Sequence, residues 1–414
     1  MNPHSTFSCR CVSKPSPPAE IRLRNHYISA VHRPTDVLAI RRLTLKNFRN
    51  YADLRVDIDA PAIVLTGANG AGKTNLLEAV SMLVPGRGLR AAALDELIRH
   101  GYGDWAVAAE ILSIGGSVTL GTAFRSKAPG EQPATGTRQV VIDGTVQKSP
   151  GPLARYMRLL WVTPPMDRLF SGPRGDRRRF FDRLAVAVDA DHASRLARFD
   201  RLLRERNRLL ASANSDLGWL ASLEHRMAEE AIALAAGRLF ALDSLEAFAG
   251  RSAGSAFPWV KLTLEGEIEG NLKCLPAVQV EDRYRRMLHD SRQRDRAAGR
   301  TLSGPHRSDL KVLHGPKGIE AGICSTGEQK AMLIGIVLAL ARAMKNTLGG
   351  MLPILLLDEA VAHLDAERRI GLFQELRDIG AQYWLTGTDK ALFDGMDPHA
   401  AFYAVSDGAL APIG

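Results

Sequence analysis

Cysteine is scarce in this chain: Cys9, Cys11, Cys274 and Cys324 are the four in 414 residues. They form no Cys-x-x-Cys pair and have no histidine at metal-ligand spacing, which argues against a disulfide framework and a structural zinc, and for a reducing compartment, the cytoplasm. Long apolar runs are also missing. Gly, Arg or Lys interrupts each candidate before it reaches the roughly 20 residues of a membrane span, so no membrane partner is expected. Extended heptads are absent, which speaks against a long coiled-coil tether. No acid precedes Glu20. That Pro-, Ser- and Arg-rich opening has no apolar core of a secretory signal. Residues 1–36 are expected to be a disordered extension or a start assigned too early, with the folded chain opening near Val37.

The charge that is present is mostly positive, with a net +9. An excess of this sign points to an anionic partner, nucleic acid first. The length suggests two domains. "LAIRRLTLKNFRNYADLRVDI" alternates apolar and polar residues as a strand pair does, and Ile63-Val64-Leu65 after Pro61 reads as a buried strand. That strand runs into Gly67-Ala68-Asn69-Gly70-Ala71-Gly72-Lys73-Thr74, a P-loop pattern, and then into a helical "TNLLEAV". Glycines let backbone N–H groups converge on phosphate oxygens, and the helix turns its positive end toward the same anion. Lys73 is expected at the β/γ-phosphates of ATP and the Thr74 hydroxyl on Mg²⁺.

Short strands such as "VTLGTAF" and "QVVIDG" follow. Between about Phe180 and Gly250 the apolar period becomes helical, with Leu196, Phe199, Leu202, Leu203, Leu209 and Leu210 at three- and four-residue steps. The arginines of "RLLRERNRLL" make either a solvated face or a nucleic-acid contact. Farther on, "PILLLDEAVAHLD" is an apolar strand that ends in two carboxylates. Asp358 is expected to share the Mg²⁺ site, and Glu359 to orient or deprotonate the attacking water. Strand alternation would send the two acids to opposite sides. Upstream, "STGEQK" sets Ser325, Gly327 and Gln329 at the start of a long apolar helix, where hydroxyl and N–H donors can meet a phosphate.

Together these segments resemble an ABC-type ATPase head: a P-loop, a signature at Ser325, a Walker B strand, a D-loop at Asp365 and the strand "YWLTGTD". The interval from Lys73 to Ser325 is far longer than in transport ATPases, and an inserted lobe is typical of the chromosome-maintenance and repair branch. Within that branch "LTLKNFRNY", "GRGLR", "GDRRRFFD", "LSGPHRSDL" and "LLLDEAVAHLD" are similar to the RecF family of bacterial recombination and gap-repair proteins. No Q-loop glutamine stands out in "WVTPPMDRLFSG", and Glu359 stands where many members carry Asp.

The resemblance implies an α/β fold, an ABC-type P-loop ATPase head with an inserted helical lobe. Its parts would be a head portion over 37–180, a lobe over 181–300 and the rest of the head over 301–414. It also implies an ATP-driven homodimer in which the Ser325, Gly327 and Gln329 segment of one copy meets the nucleotide of the other. Further implications are binding to single-stranded, gapped or junction DNA, weak DNA-stimulated ATP hydrolysis that releases the dimer, RecR-like and RecO-like mediator partners, and a place in the SOS response. A transporter or translocation ATPase is the alternative, disfavoured by the long insert and the Gly-Pro-His-Arg element. Phe48 and Tyr51 suit core or nucleotide-rim packing. Arg177, Arg178 and Arg179 cap a helix, pair with acids or touch phosphate, and His306 and Arg307 serve at least as turn residues.

Overall fold

The computed structural model describes residues 38–113, 115–126, 136–212, 216–249, 255–347, 351–362 and 364–413. The expectation for residues 1–36 lies outside them, as do Cys9, Cys11 and His363.

Four short segments have no polar face: β3 (Ala62–Thr66), β8 (Leu159–Val162), β12 (Ile354–Leu357) and β13 (Tyr383–Gly387) are buried along their whole length. Such strands need cover on both faces, which a parallel sheet between layers supplies. They run parallel with β14 (Ala401–Ser406), and antiparallel β15 (Ala409–Ile413) closes one edge, in the order β15-β14-β3-β13-β12-β8.

The alternating N-terminal segment folds as read, into the hairpin β1 (Ala39–Phe48) and β2 (Tyr51–Asp57). Strands β4 (Asp104–Ser113), β5 (Gly116–Arg125), β6 (Arg138–Ile142) and β7 (Thr145–Gln147) extend it as an antiparallel sheet, ordered β2-β1-β4-β5-β6-β7. Helix α1 (Lys73–Ser81) touches both sheets. The Gln382 amide joins them, accepting from the Ile40 N–H at 2.9 Å and donating back to the Ile40 carbonyl at 3.1 Å. The long α8 (Thr326–Thr347) supplies a continuous apolar run to the same core and packs beside α9 (Ala366–Ile379).

The region read as a helical insert contains α2 (Arg174–Val188), α3 (His192–Ala211), α4 (Leu217–Ala249), α5 (Glu267–Leu272), α6 (Ala277–Asp290) and α7 (Arg292–Ala297). The ion pairs Arg198–Glu230 and Arg206–Glu224 show α3 and α4 running antiparallel. A second core forms among Phe199, Leu202, Leu223, Met227, Ile268, Tyr284 and Leu288. The insert is not purely helical, however. Between α4 and α5 lies β9 (Val260–Glu265), which pairs with β10 (Asp309–His314), itself paired with the short β11 (Ile319–Glu320). Ala241, Leu242 and Leu245 at the far end of α4 belong to the head core. The region is therefore rooted in the head core by α2, the far end of α4 and β9, a connection that no local periodicity reveals.

Two buried arginines tie these elements together, Arg238 at the root and Arg206 beside the second core. Arg238 binds Asp182 through Nε at 2.8 Å, and its Nη1 reaches Glu269 at 2.9 Å and the Pro305 carbonyl at 2.7 Å. Arg206, from the run read as an exposed basic face, is fully buried against Glu224, Asp295, Thr301 and the Leu288 carbonyl. Its neighbours Arg201, Arg204 and Arg208 are exposed. Removing one partner of such a pair typically destabilises by about 3–5 kcal/mol, because the other charge is left buried and uncompensated.

Candidate nucleotide site

The P-loop follows the C-terminal end of β3, where parallel α/β sheets present ligands. Gly67 has φ +149, and a Cβ there would lie 2.4 Å from the Val405 carbonyl oxygen; Gly72 has φ +113, and a Cβ would lie 2.3 Å from Asn50 Nδ2. Only glycine fits either place. Ala68, Asn69 and Gly70 are exposed, whereas Ala71 is half-buried. The loop is held from behind: Tyr51, fully buried, donates its hydroxyl to the Gly72 carbonyl at 3.0 Å, and Asn50 donates to the Ala71 carbonyl at 3.1 Å. Tyr51 is thus rim packing in a precise sense, a side chain that shapes the loop. Phe48 is core, edge-on to Trp105.

No side chain caps α1, and its first turn carries no acid. Its first N–H groups are the unsatisfied donors that make a helix start an anion site. Lys73 is buried, and its Nζ donates to the carbonyls of Gly67 at 2.6 Å and Ala68 at 2.8 Å. Burial lowers its pKa, with Glu359 and then Asp358 opposing that shift.

β13 lies between β3 and β12, and this order brings three groups together. Asp358, just past β12 and 3% exposed, accepts from the hydroxyls of Thr74 at 2.9 Å and Thr386 at 2.8 Å on the same oxygen. Burial raises the Asp358 pKa, with the two threonine hydrogen bonds opposing it. A hydroxyl and a carboxylate already in contact fit the shared coordination of a hard divalent cation. Thr386 also accepts the Glu359 N–H at 2.8 Å. The strand had been read without assigning Thr386 any role.

The expected strand alternation does not reach the two acids. β12 ends at Leu357, and Glu359 has a left-handed backbone with φ +49. Their relative placement is therefore set by this turn and not by strand pleating.

At the signature, Ser325 and Glu328 form a reciprocal capping box: the Ser325 N–H and hydroxyl donate to Glu328 Oε2 at 3.0 and 2.9 Å, and the Glu328 N–H donates to Ser325 Oγ at 3.3 Å. The Lys317 ammonium first, and Ser325 next, hold the Glu328 carboxyl down at about 2. Ser325 is exposed, and a Cβ on Gly327 would meet nothing within 4 Å. Gln329, expected to face nucleotide, points inward: it is 5% exposed and donates to the Cys324 carbonyl at 2.9 Å. Its position on the inner side of the first helical turn makes it a brace for the signature loop. Arg90, from "GRGLR", bonds Asn75 at 2.8 Å, and Arg49 pairs with buried Glu78 at 2.9 and 3.1 Å, so both lie against α1.

The Arg-rich and Gly-Pro-His-Arg elements meet at the lobe's root. Arg177 forms a two-pronged pair with Asp309 at 2.8 and 2.7 Å, Arg178 donates to the Ser308 carbonyl at 3.0 Å, and Arg179 pairs with Asp176. His306 bonds the Thr301 carbonyl at 3.0 Å, while Arg307 is exposed.

A P-loop, a buried Walker B acid and a capped signature helix on two sheets define the class: an ABC-type ATPase head of the SMC-like kind. A family model described as an AAA domain matches residues 42–92. The DNA replication and repair protein RecF of Mesorhizobium japonicum is 47% identical over 375 residues, covering 90% of this chain and 97% of that one. The chain belongs to the RecF family. A solved structure described as the recombination mediator protein RecF-ATP in the RecFOR pathway aligns with TM-score 0.79 at 20% identity, over 93% of this chain and 100% of that one. The Smc head domain of Pyrococcus furiosus aligns with TM-score 0.52 at 14% identity, over 91% and 96%.

Proposed function

We propose that this chain binds ATP with Mg²⁺, closes on DNA as a two-fold dimer and lets go when ATP is hydrolysed. In this reading the Gly67–Thr74 loop and the N-terminus of α1 hold the phosphates, Thr74 and Asp358 hold the metal, and Glu359 serves the attacking water. The observation that carries it is the Thr74–Asp358–Thr386 cluster beneath an uncapped helix start. Ser325 stands exposed and Gly327 half-buried at the start of a helix whose own cap is complete, as suits a surface that meets the partner's nucleotide. A closed two-fold arrangement gives both copies the same contact.

DNA would be held in part by the arginines at the lobe's root. Asp182, Glu269 and Asp309 are already committed to Arg238 and Arg177, which leaves Arg178 and Arg307, among the described residues, without a carboxylate hydrogen bond to compete with a phosphate. Family membership supports single-strand/duplex junctions as the target, with RecR-like and RecO-like mediators as partners in loading recombinase in the cytoplasm. No helix among the described residues is long and apolar enough to cross a membrane.

Lys73→Met tests the nucleotide assignment. It removes the only P-loop cation, so ATP binding and ATP-dependent retention on gapped duplex are expected to be lost together, measured by equilibrium titration with labelled nucleotide and DNA. Tight ATP binding by the variant would refute the site.

A further inference from the structure

Lys330 lies on the first turn of α8 and is 4% exposed. Its Nζ donates to the carbonyl oxygens of Glu359 at 2.9 Å and Ala362 at 2.8 Å, and the nearest carboxylate oxygen, on Asp167, is 3.8 Å away. An ammonium taken out of water needs compensation, and here most of it comes from the backbone of a single turn. That turn is the left-handed one that carries Glu359. Thr386 Oγ1 fixes the peptide on the N-terminal side of Glu359, and Lys330 fixes the peptide on its C-terminal side. Side chains from two other elements thus determine both backbone dihedrals of this residue.

We propose that Lys330 is the positioning residue for the Glu359 carboxylate, and that it couples the signature helix of each protomer to that protomer's own hydrolytic turn. The inference rests on the reading of Glu359 given above. Ser325 and Lys330 share the start of α8, one exposed and the other buried. A partner's nucleotide drawing on Ser325 therefore shifts the ammonium against the carbonyls of Glu359 and Ala362. Engagement across the dimer sets catalytic geometry within the subunit, and by symmetry both sites respond together.

Lys330→Met keeps the length of the side chain and removes its donors, whereas Lys330→Arg keeps a cationic donor. Displacing a reacting group by about 1 Å lowers rates about a hundredfold. Lys330→Met is therefore expected to lose kcat by about tenfold to a hundredfold, with ATP affinity and ATP-induced dimerisation unchanged. Lys330→Arg should recover part of kcat. Amide exchange over residues 359–362 should slow on ATP addition in the unaltered protein and stay at its nucleotide-free rate in Lys330→Met.

Wild-type turnover in Lys330→Met, beside a slow Glu359→Gln, overturns the inference alone. Equal losses of kcat, ATP affinity and dimerisation would show a merely structural lysine and also overturn it. Wild-type turnover in Glu359→Gln removes the underlying assignment, and the inference with it.

Discussion

At the scale of single residues, the Asp358–Glu359 turn depends on Thr386, whose hydroxyl donates to Asp358 and accepts from the Glu359 N–H. Thr386→Val keeps the shape and deletes both bonds. An unsatisfied buried polar group costs about 1–3 kcal/mol, so the variant should melt lower and hydrolyse ATP more slowly. Thr386→Ser should keep most of both, as thermal denaturation and steady-state turnover will show. If Thr386→Val matches the unaltered protein in turnover, the hydroxyl does not set the acids. The neighbouring Asp358 was legible in the sequence because an apolar run ending in an acid is a local pattern. Thr386 was not, because its importance comes from β13 lying between β3 and β12, and strand order is a property of the whole sheet. Gln329 and Glu359 stand out in the sequence only as letters of their motifs. The direction of the first depends on how the preceding turn presents the Cys324 carbonyl, and the backbone of the second meets a distant side chain, Lys330.

At the scale of elements, the turn from Leu302 to Leu310 shows what a motif read as letters conceals. Two of its carbonyls are pinned from outside, Pro305 by buried Arg238 and Ser308 by half-buried Arg178, while His306 reaches back to the Thr301 carbonyl just before the turn. The sequence suggests turn residues, and they are turn residues, but the partners of Pro305 and Ser308 come from α4 and α2, more than 60 positions away. Burial pushes the His306 pKa down to about 4; the Thr301 carbonyl opposes this, and Arg178 and Arg307 add to it. The unfolded chain titrates near the ordinary value of 6.5. Between these two values only the unfolded chain takes up the proton, so stability present above pH 6.5 is lost as pH falls toward 4, at about 1.4 kcal/mol per pH unit. His306→Gln can still donate to Thr301 and cannot titrate. Denaturant unfolding across this window should therefore give a shallower acid decline for His306→Gln than for the unaltered protein. Parallel declines would mean that the folded imidazole accepts a proton freely.

At the scale of the whole molecule, the proposed dimer separates two functions that one chain carries on different surfaces. The side-chain hydrogen bonds of Ser325 are made with Glu328, whereas the phosphate loop is held by Tyr51, Asn50 and its own lysine. Ser325→Arg removes a helix cap, worth about 1 kcal/mol, which is too little to unfold a chain with a core of this size. The isolated subunit should then still bind ATP. In the dimer, the same arginine would place bulk between the signature helix and the partner's γ-phosphate, and the two-fold axis would repeat the lesion at the second site. ATP-dependent dimerisation should be lost while ATP affinity stays. DNA affinity should fall to that of separate basic surfaces, with a weaker salt dependence, because each phosphate no longer neutralised removes about 0.9 from the slope of log affinity against log salt. Arg307→Ala provides the contrast: it should lower the same slope by about one phosphate and leave ATP-dependent dimerisation intact. Sedimentation with and without ATP, followed by salt titration of gapped-duplex binding, separates the two variants. A Ser325→Arg protein that dimerises with ATP and keeps the full slope would place the dimer contact elsewhere, and the exposed signature would then need another partner.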